Sequence, residues 1–502
     1  MKQYLLPVLL LGIISTSCNK SFLEEDPKAN LTISGFYKTD NDLDMASIAI
    51  YHQVNDAFNG GPGYGPLWGA DDIMTTRNGN KITYADFDTF QANSSNDKMV
   101  WWGTFYSTIK VCNGILNNYQ NSTASSEQKK KEVGGEAHFF RALSYFFLTR
   151  IWGHIPLITD NTINYEVGKS EPVAIYELIV DDLKKAEDML PDRWADKRNQ
   201  KGVDIAPTRG SVKALLAEVY LTMAGWPLKQ EDKYALAAAK AKEVMDGRTT
   251  WGYELEPEFK NLWTLANAFN KETVFGCYYN VNTAPFVGQN SNRLCITFAP
   301  EDEGGYGVGY GEISFYNRFP AGPRKDATYQ TEYYLNNDPD NVVDYTQTLR
   351  GHPCFIKQRD GENYVWATHT INGQNSRTVP VIRYAGVLLT YAEAYARAQG
   401  APDQSCYDAV NAVRRRAGLQ DLQTGLNVTA FVDSVVTEKG WEFAGVEPTA
   451  RWFDLIRTET VAKATSLRSP LEEPLKGTPD DATHAFYWAP VPANDTQLNP
   501  NL

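Results

Sequence analysis

The stretch EAHFFRALSYFFLTRIWGHIPLI, residues 136–158, decides how the surrounding chain must fold. Small and apolar residues recur along it at helical spacing, at Ala137, Phe140, Ser144, Phe147 and Ile151. Large side chains also occupy the adjoining faces, at Phe139, Leu143, Phe146 and Arg150. A helix that is apolar around most of its circumference is predicted to be buried between neighbouring elements. Gly153 and Pro156 then end the helix.

The composition is that of a folded globular chain, long enough for two or three domains or one large helical assembly. Its 502 residues are 42% hydrophobic and 22% charged. The formal net charge is −13, and the sequence has no stripe of clustered Lys and Arg. Because binding to phosphates needs clustered cations, we expect no nucleic-acid partner.

The cysteines after Cys18 are widely spaced, so they are predicted to be buried small hydrophobes rather than disulfide or zinc ligands.

The N-terminus has the pattern of an export signal that ends in a lipid-modified cysteine. An apolar run over residues 5–14 leads through three small residues into Cys18, and the run is too short to span a bilayer permanently. We therefore expect a lipoprotein signal peptide at residues 1–17, acylation of Cys18 and a polar tether at residues 18–30. The alternative is an ordinary secretory signal that contains a cysteine. Ser15 departs from the usual lipoprotein pattern, which favours Leu there.

Helical patterns dominate the rest of the chain. Apolar residues at helical spacing predict single helices over residues 41–58, 99–119, 172–190 and 431–455. In the first of these, Leu43, Ile48 and Val54 are expected to face the core. The second is expected to pack against the opening stretch as a helix hairpin.

Other helices are predicted to form pairs like those of tetratricopeptide repeats. A small residue followed three places later by an aromatic one occurs at Ala217 and Tyr220, and again at Ala392 and Tyr395. Each is followed by a second helix with small residues that let two helices approach closely. We therefore predict a mainly α fold of irregular tetratricopeptide-like helix pairs, with an unrelated helical bundle as the alternative. The scaffold is expected at about 40–58, 98–258 and 380–458.

Residues 259–380 differ in character from the helical scaffold. They are rich in Gly, Asn, Tyr and Pro and contain only short apolar runs, such as ETVFGCYYN. This composition predicts loops and short strands, and the aromatic content argues against disorder. Because long irregular insertions are commonly functional or disordered, this segment is predicted to have a functional role.

An enzyme needs a convergent set of reactive groups, and the sequence offers none. The six histidines show no metal-ligand spacing. Residues 168–170 end like a phosphate-binding loop but lack its first glycine. Residues 40–44 begin like a calcium loop but lack its glycine and its closing glutamate. We therefore expect no catalytic residue, no metal site and no cofactor.

Sugar binding without catalysis requires a different mixture of residues, and two Gly-rich stretches provide it. A pyranose has apolar faces that stack on Trp or Tyr and hydroxyl groups that bond to polar side chains. The first stretch and the helix start that follows it supply the candidates Trp68, Asp71, Asp72, Arg77, Asn78 and Trp101. The second stretch, residues 299–324, supplies Tyr306 and Tyr310. The alternative is that the tryptophans fill the core and the tyrosines pack the loops.

Six motifs and the flank of Cys18, spread over almost the full length, together resemble one known family. The motifs are FFRALSYFFLTRIWGHIPLI, TRGSVKALLAEVYLTMAGWPL, RYAGVLLTYAEAYAR, AVNAVRRRAGL, ARWFDLIRT and PVPANDTQLNPNL. In order and content they resemble the SusD/RagB family of outer-membrane nutrient-binding lipoproteins of Bacteroidetes. The chain departs from the family pattern before Arg451, where GVEPTA looks longer than the usual turn, and at Asp495, where Glu is common.

For this chain, the resemblance to SusD/RagB proteins implies one domain at residues 31–502, with the loop-rich segment at about 259–380 as its ligand side. Such proteins are mostly helical, lie on the outer face of the outer membrane and cap a TonB-dependent β-barrel transporter of the SusC type. They help to capture oligosaccharides, or sometimes peptides, for import. We accordingly expect a lipid-anchored cell-surface protein that binds an oligosaccharide without catalysis and delivers it to such a transporter. The alternative is a peptide-capturing or protein-interaction scaffold lipoprotein of the same import system.

Overall fold

The structure is a computed structural model that describes most of the chain after the N-terminal segment. The described residues are 36–162, 164–280, 291–338, 340–357, 359, 364–365, 370–371, 376–445, 447–448 and 451–502. The predicted signal peptide, Cys18 and the predicted tether lie outside them. Within the described ranges, no helix has both the length and the apolarity that crossing a bilayer requires.

Helices form most of the regular structure. In chain order they are α1 (Asp40–Phe58), α2 (Ile82–Asp88), α3 (Val100–Asn118), α4 (Glu127–Trp152), α5 (Pro172–Met189), α6 (Arg209–Ala224), α7 (Lys233–Asp246), α8 (Arg248–Trp251), α9 (Leu294–Phe298), α10 (Ile313–Arg318), α11 (Pro323–Asp326), α12 (Tyr384–Gln399), α13 (Gln404–Arg416), α14 (Val428–Glu442), α15 (Arg451–Arg457), α16 (Val461–Thr465) and α17 (Ala493–Leu498). The predicted mainly α fold is confirmed.

The strands are short and pair in twos, always antiparallel. They are β1 (Ile73–Met74), β2 (Asn199–Gln200), β3 (Val203–Asp204), β4 (Thr273–Cys277), β5 (Tyr310–Gly311), β6 (Tyr329–Gln330), β7 (Glu332–Tyr334), β8 (Val342–Asp344), β9 (Cys354–Phe355), β10 (Tyr364–Val365), β11 (Thr370–Ile371) and β12 (Val379–Arg383). The pairs are β1–β5, β2–β3, β4–β12, β6–β9, β7–β8 and β10–β11. Most of them lie in the loop-rich part of the chain, as the composition predicts.

Helix α4 is the centre of the packing. Every residue from Val133 to Trp152 is buried, and α1, α3 and α5 pack around it. Phe139 and Phe140 meet the ring of Phe275 in β4, with centroid distances of 5.0 and 5.8 Å. The prediction of a helix covered on most sides, paired with α3, is therefore confirmed.

The predicted helix pairs are also present. α6 packs on α7, α12 packs on α13, and α7 packs on α12 as well, so the two pairs form one layer. Ala237, Ala241 and Ala392 are fully buried where these helices approach each other. Small side chains at these places allow the close approach that the sequence pattern predicts.

Two details of the helix prediction are wrong. Ile48 is 57% exposed, whereas Leu43 and Val54 are buried. Ile48 lies five positions after Leu43, which places the two side chains about 140° apart around the helix axis. The helix predicted at 431–455 is divided into α14 and α15, and Gly445 between them has φ +89°, which favours glycine.

A buried network of ion pairs joins the loop-rich part to the helices, and the sequence patterns gave no sign of it. Its buried members are Glu272, Arg324, Lys357, Arg383, Glu438, Glu442 and Glu447, and the half-buried Arg416 joins them. Arg383, at the end of β12, lies 2.6 Å from both Glu272 and Glu442 and 2.7 Å from Glu447. Burial opposes the ionisation of Glu442, but the guanidinium groups around it lower its pKa to about 2.

Replacing Arg383 with Ala should destabilise the fold strongly. The change leaves three buried glutamates without their shared partner, so we expect the free energy of unfolding to fall by about 3–5 kcal/mol. Urea unfolding followed by circular dichroism measures the loss. Arg415→Ala is the control: Arg415 pairs with Asp421 at the exposed surface of α13, where water screens the pair and no measurable change is expected. Equal stability of the two variants would contradict the role of the network.

Candidate functional site

The two stretches selected from the sequence meet in the structure. β1 of the first stretch pairs with β5 of the second, with Ile73 opposite Gly311 and Met74 opposite Tyr310. Beside this pair, the hydroxyl of Thr75 donates a hydrogen bond to the carbonyl of Val308. The fold therefore brings together two loop regions that lie more than 200 positions apart in the sequence.

A cavity of about 620 Å³ opens next to these paired stretches. Its wall is formed by the end of α1, the segment leading into α2, the start of α3, and α9 with the loop after it. The charged and aromatic side chains that line it are Asp56, Lys81, Tyr84, Lys98, Arg293, Glu301 and Tyr306. Its volume lies within the range of small-molecule sites.

Some charged groups of the cavity are held in ion pairs, and others are not. Glu301 is bonded to Lys81 and lies 2.6 Å from Arg350. Burial opposes ionisation, but these two cations together lower the pKa of the Glu301 carboxyl. Lys98 is also paired, at 2.9 Å from Asp97, and lies 5.0 Å from the centre of the Tyr84 ring. The exposed guanidinium of Arg293 makes no ion pair with any residue that the structure describes.

Tyr306 is the exposed aromatic group of this cavity. The backbone N–H of Tyr306 donates to the carbonyl of Ile296 at 2.8 Å, while its side chain is 49% exposed. The preceding Gly305 lies so close to Ala299 that a Cβ there would be 2.2 Å from the Ala299 carbonyl oxygen. The loop is thus anchored by its backbone, and the ring remains accessible to a ligand.

The described part of the chain offers no cluster of three or more His, Cys, Asp or Glu side chains that could hold a metal ion. The five cysteines it contains are buried, so the prediction that they are buried small side chains is confirmed. The chemistry of the cavity is therefore that of hydrogen bonds, charges and one exposed ring.

Two family models match most of the chain. The model described as the SusD family matches residues 276–502. The model described as starch-binding associating with outer membrane matches residues 24–221. The chain belongs to the SusD/RagB family.

Relatives within the family are similar over nearly the whole chain. A SusD-like protein of Bacteroides ovatus is 26% identical over 91% of this chain and 82% of its own length. A laminarin binding SusD-like protein has a TM-score of 0.74 at 23% identity, covering 92% of this chain and 98% of that one. A crystal structure with xylogluco-oligosaccharide has a TM-score of 0.73 at 21% identity, covering 91% and 97%. These structural similarities show the SusD-like fold.

The two tryptophans selected from the sequence are core residues in this SusD-like fold. Trp101 is fully buried, and its indole N–H donates to the carbonyl of Ala57 at 2.6 Å. Trp68 is also buried, with ring centroids 4.4 Å from Tyr84 and 6.1 Å from Phe298. Neither ring presents a face to a ligand; both support the cavity from behind.

The polar candidates of the first stretch are mostly engaged in ion pairs. Asp71 accepts a hydrogen bond from Arg451 at 2.8 Å. Arg77 lies 2.7 Å from Asp86 and 2.8 Å from Glu473. These pairs fasten the loop to the C-terminal part of the chain.

The remaining candidates divide between core and surface. Tyr310 is fully buried in a small cluster with Met74 and Tyr333, whereas the side chain of Asn78 is exposed. Tyr306 and Asn78 are therefore the sequence-selected residues that a ligand can reach. Sequence reasoning missed the cations of the cavity, Lys81, Lys98 and Arg293, because isolated basic residues give no signal until folding brings them together.

Asp72 is buried in a position that changes its acidity. Its carboxylate accepts a hydrogen bond from the backbone N–H of Gly445 at 2.7 Å. Burial disfavours the charged form more than this bond favours it, and raises the pKa of Asp72 to about 7. Between about pH 4 and about pH 7, the folded protein therefore holds a proton at Asp72 that the unfolded chain releases.

Replacing Asp72 with Asn should make stability less dependent on pH. The native pKa lies above 3.8, so Asp72 lowers the free energy of unfolding as pH rises from about 4 to about 7, by roughly 4 kcal/mol. Asn carries no charge, so D72N should lose less stability than the parent between pH 5 and pH 8 in urea unfolding. Asp421→Asn is the control, because the pKa of this exposed group is lowered by Arg415. An unchanged pH slope in D72N would refute the assignment.

Stability measurements should also separate the core tryptophan from the exposed tyrosine. Trp101→Ala removes a fully buried ring and is expected to lower the free energy of unfolding by about 3–5 kcal/mol. Tyr306→Ala removes a half-exposed ring and should change it by about 0.5 kcal/mol or less. Urea titration of both variants checks the contrast, and similar losses would be inconsistent with the burial described.

Proposed function

We propose that this protein binds an oligosaccharide at the 620 Å³ cavity, without chemical change, and delivers it to a TonB-dependent β-barrel transporter of the SusC type. The observation that carries the proposal is the exposed ring of Tyr306 on a cavity lined by charged groups. A pyranose needs both an aromatic surface for its apolar face and hydrogen-bonding groups for its hydroxyls.

The side chains around Tyr306 suit recognition of hydroxyl groups. Lys98 and Arg293 can donate hydrogen bonds, and the carboxylate of Asp56 can accept them. Because burial raises the pKa of Tyr84, its phenol stays protonated at neutral pH and can also donate. A sugar ring stacked on Tyr306 would have these groups around its edge.

The acidic groups of the cavity favour binding over hydrolysis. A glycosidase needs a carboxylic acid whose pKa is raised so that it can protonate the leaving group. Glu301 has the opposite property, because Lys81 and Arg350 hold its pKa below the usual value. We therefore propose binding as the activity of this site.

Membership of the family supports the cellular part of the proposal. The model matching residues 24–221 is described as starch-binding associating with outer membrane, and similar structures carry xylogluco-oligosaccharide or are described as laminarin binding. In the proposed arrangement, acylated Cys18 anchors the protein in the outer membrane with the folded domain at the cell surface. The transporter would receive the glycan from there.

Affinity electrophoresis tests the proposed binding. The protein lacking residues 1–18 should be retarded in gels containing laminarin, xyloglucan or starch. Tyr306→Ala should weaken binding about three- to tenfold, because an aromatic contact contributes about 0.5–1.5 kcal/mol. Tyr395→Ala on α12, which does not line the cavity, is the matched control and should bind as the parent does. Retention of Tyr306→Ala equal to the parent's, or binding of oligopeptides but no glycan, would exclude this function.

A further inference from the structure

A second cavity, of about 290 Å³, lies on the other side of the first turn of α3. Val100 lines the 620 Å³ cavity and Trp102 lines the second one. Two residues apart in a helix are separated by about 200° around its axis. The start of α3 therefore divides two cavities, and the second is closed by the segment after α4 and by α17.

The floor of this second cavity contains the indole of Trp102, whose N–H can donate a hydrogen bond. Trp102 is 3% exposed and packs edge-on to Tyr106 and Trp152, with centroids 5.0 and 5.2 Å apart. Among the residues that the structure describes, none accepts a hydrogen bond from its indole N–H. The corresponding groups of Trp152 and Trp101 donate to backbone carbonyls at 3.0 and 2.6 Å.

The rim of the second cavity combines exposed apolar and polar groups. Tyr165 is 59% exposed and Leu498, in α17, is 66% exposed. The side-chain carbonyl of Asn164 accepts from the backbone N–H of Glu166 at 2.9 Å. Within the described ranges, neither the amide nitrogen of Asn164 nor the carboxylate of Asp495 has a hydrogen-bond partner. Aromatic surface, a free donor and a free acceptor thus face one small space.

We propose that this cavity is a second saccharide site that takes a single pyranose unit. The apolar face of the ring would lie against Tyr106 and Tyr165, and a ring hydroxyl would accept the hydrogen bond of Trp102. Asn164 and Asp495 would bind further hydroxyls at the rim. The volume is at the lower end of the range for ligand sites, which limits the site to a small ligand.

A long glycan could occupy both sites at once, because they lie on opposite sides of one helix. A helix with its side chains is about 10–12 Å across, so a polysaccharide of several units can reach both cavities around α3. Occupation of one site then raises the effective concentration of the chain at the other, and the combined affinity exceeds either alone. The second site would select long chains over short ones.

Gly103→Leu tests the proposal by filling the second cavity. Gly103 lines it, and a Cβ built there meets no atom within 4 Å. Leu also favours a helix more than Gly does, so the melting temperature should not fall. Calorimetric titration with laminarin and xyloglucan oligosaccharides should show two sites in the parent and one in Gly103→Leu. On the polysaccharides, the variant should bind at least about tenfold more weakly.

Ser107→Leu is the matched control, since Ser107 is exposed one turn further along α3 and does not line the cavity. Unchanged stoichiometry in Gly103→Leu would overturn the second site. Tyr306→Ala distinguishes the two sites. If Tyr306→Ala abolishes saccharide binding and Gly103→Leu does not, the second site is excluded and the 620 Å³ cavity remains the binding site. If Gly103→Leu alone removes binding, the second site stands and the first is excluded. Absence of saccharide binding in the parent protein, or binding of oligopeptides there instead, overturns the assignment to sugars.

Discussion

The structure depends on the complete burial of helix α4. Its last 20 residues, Val133 to Trp152, have no face toward water, so other elements must enclose it on every side. One of its charged residues, Arg150, is accommodated by aromatic rings: its guanidinium lies 3.7 Å and 3.8 Å from the ring centres of Phe146 and Phe453. Burial lowers the pKa of Arg150 to about 10. Because α4 is buried on every side, the helices that enclose it are held in fixed positions, and the loops start from the ends of these helices.

The buried ion pairs around Arg383 give the loop-rich part its connection to this helical frame. Apolar packing alone constrains irregular segments weakly, because they present few regular surfaces. Ion pairs between β12, α13 and α14 require specific geometry, since an unmatched buried charge is costly. Glu442 shows this most clearly: it bonds to Arg383, Arg416 and Arg324 together. The network therefore specifies where the loops join the helices.

The positions of the two candidate binding cavities depend on how helix α3 is packed. α3 packs on α4, and its first turn carries Trp101 inward. Val100 and Trp102 then face opposite sides, each toward a cavity. A rigid helix between two cavities keeps the geometry of both, because neither depends on a loop alone.

The sequence by itself determined the helical scaffold. Burial of α4, the pairing of α6 with α7 and of α12 with α13, and the position of the loop-rich segment all follow from periodicity and turn residues, which are local properties of the chain. The family also followed from motifs in a fixed order.

Only the tertiary structure decided which side chains a ligand can reach. Trp101 and Tyr306 look equally suitable in the sequence, yet one is buried and the other exposed, because burial depends on what packs against a residue from elsewhere. Lys81 and Arg293 come from distant segments and share a cavity only after folding. An aromatic or basic residue has the same local pattern in the core as at a site, so long-range packing must separate the two.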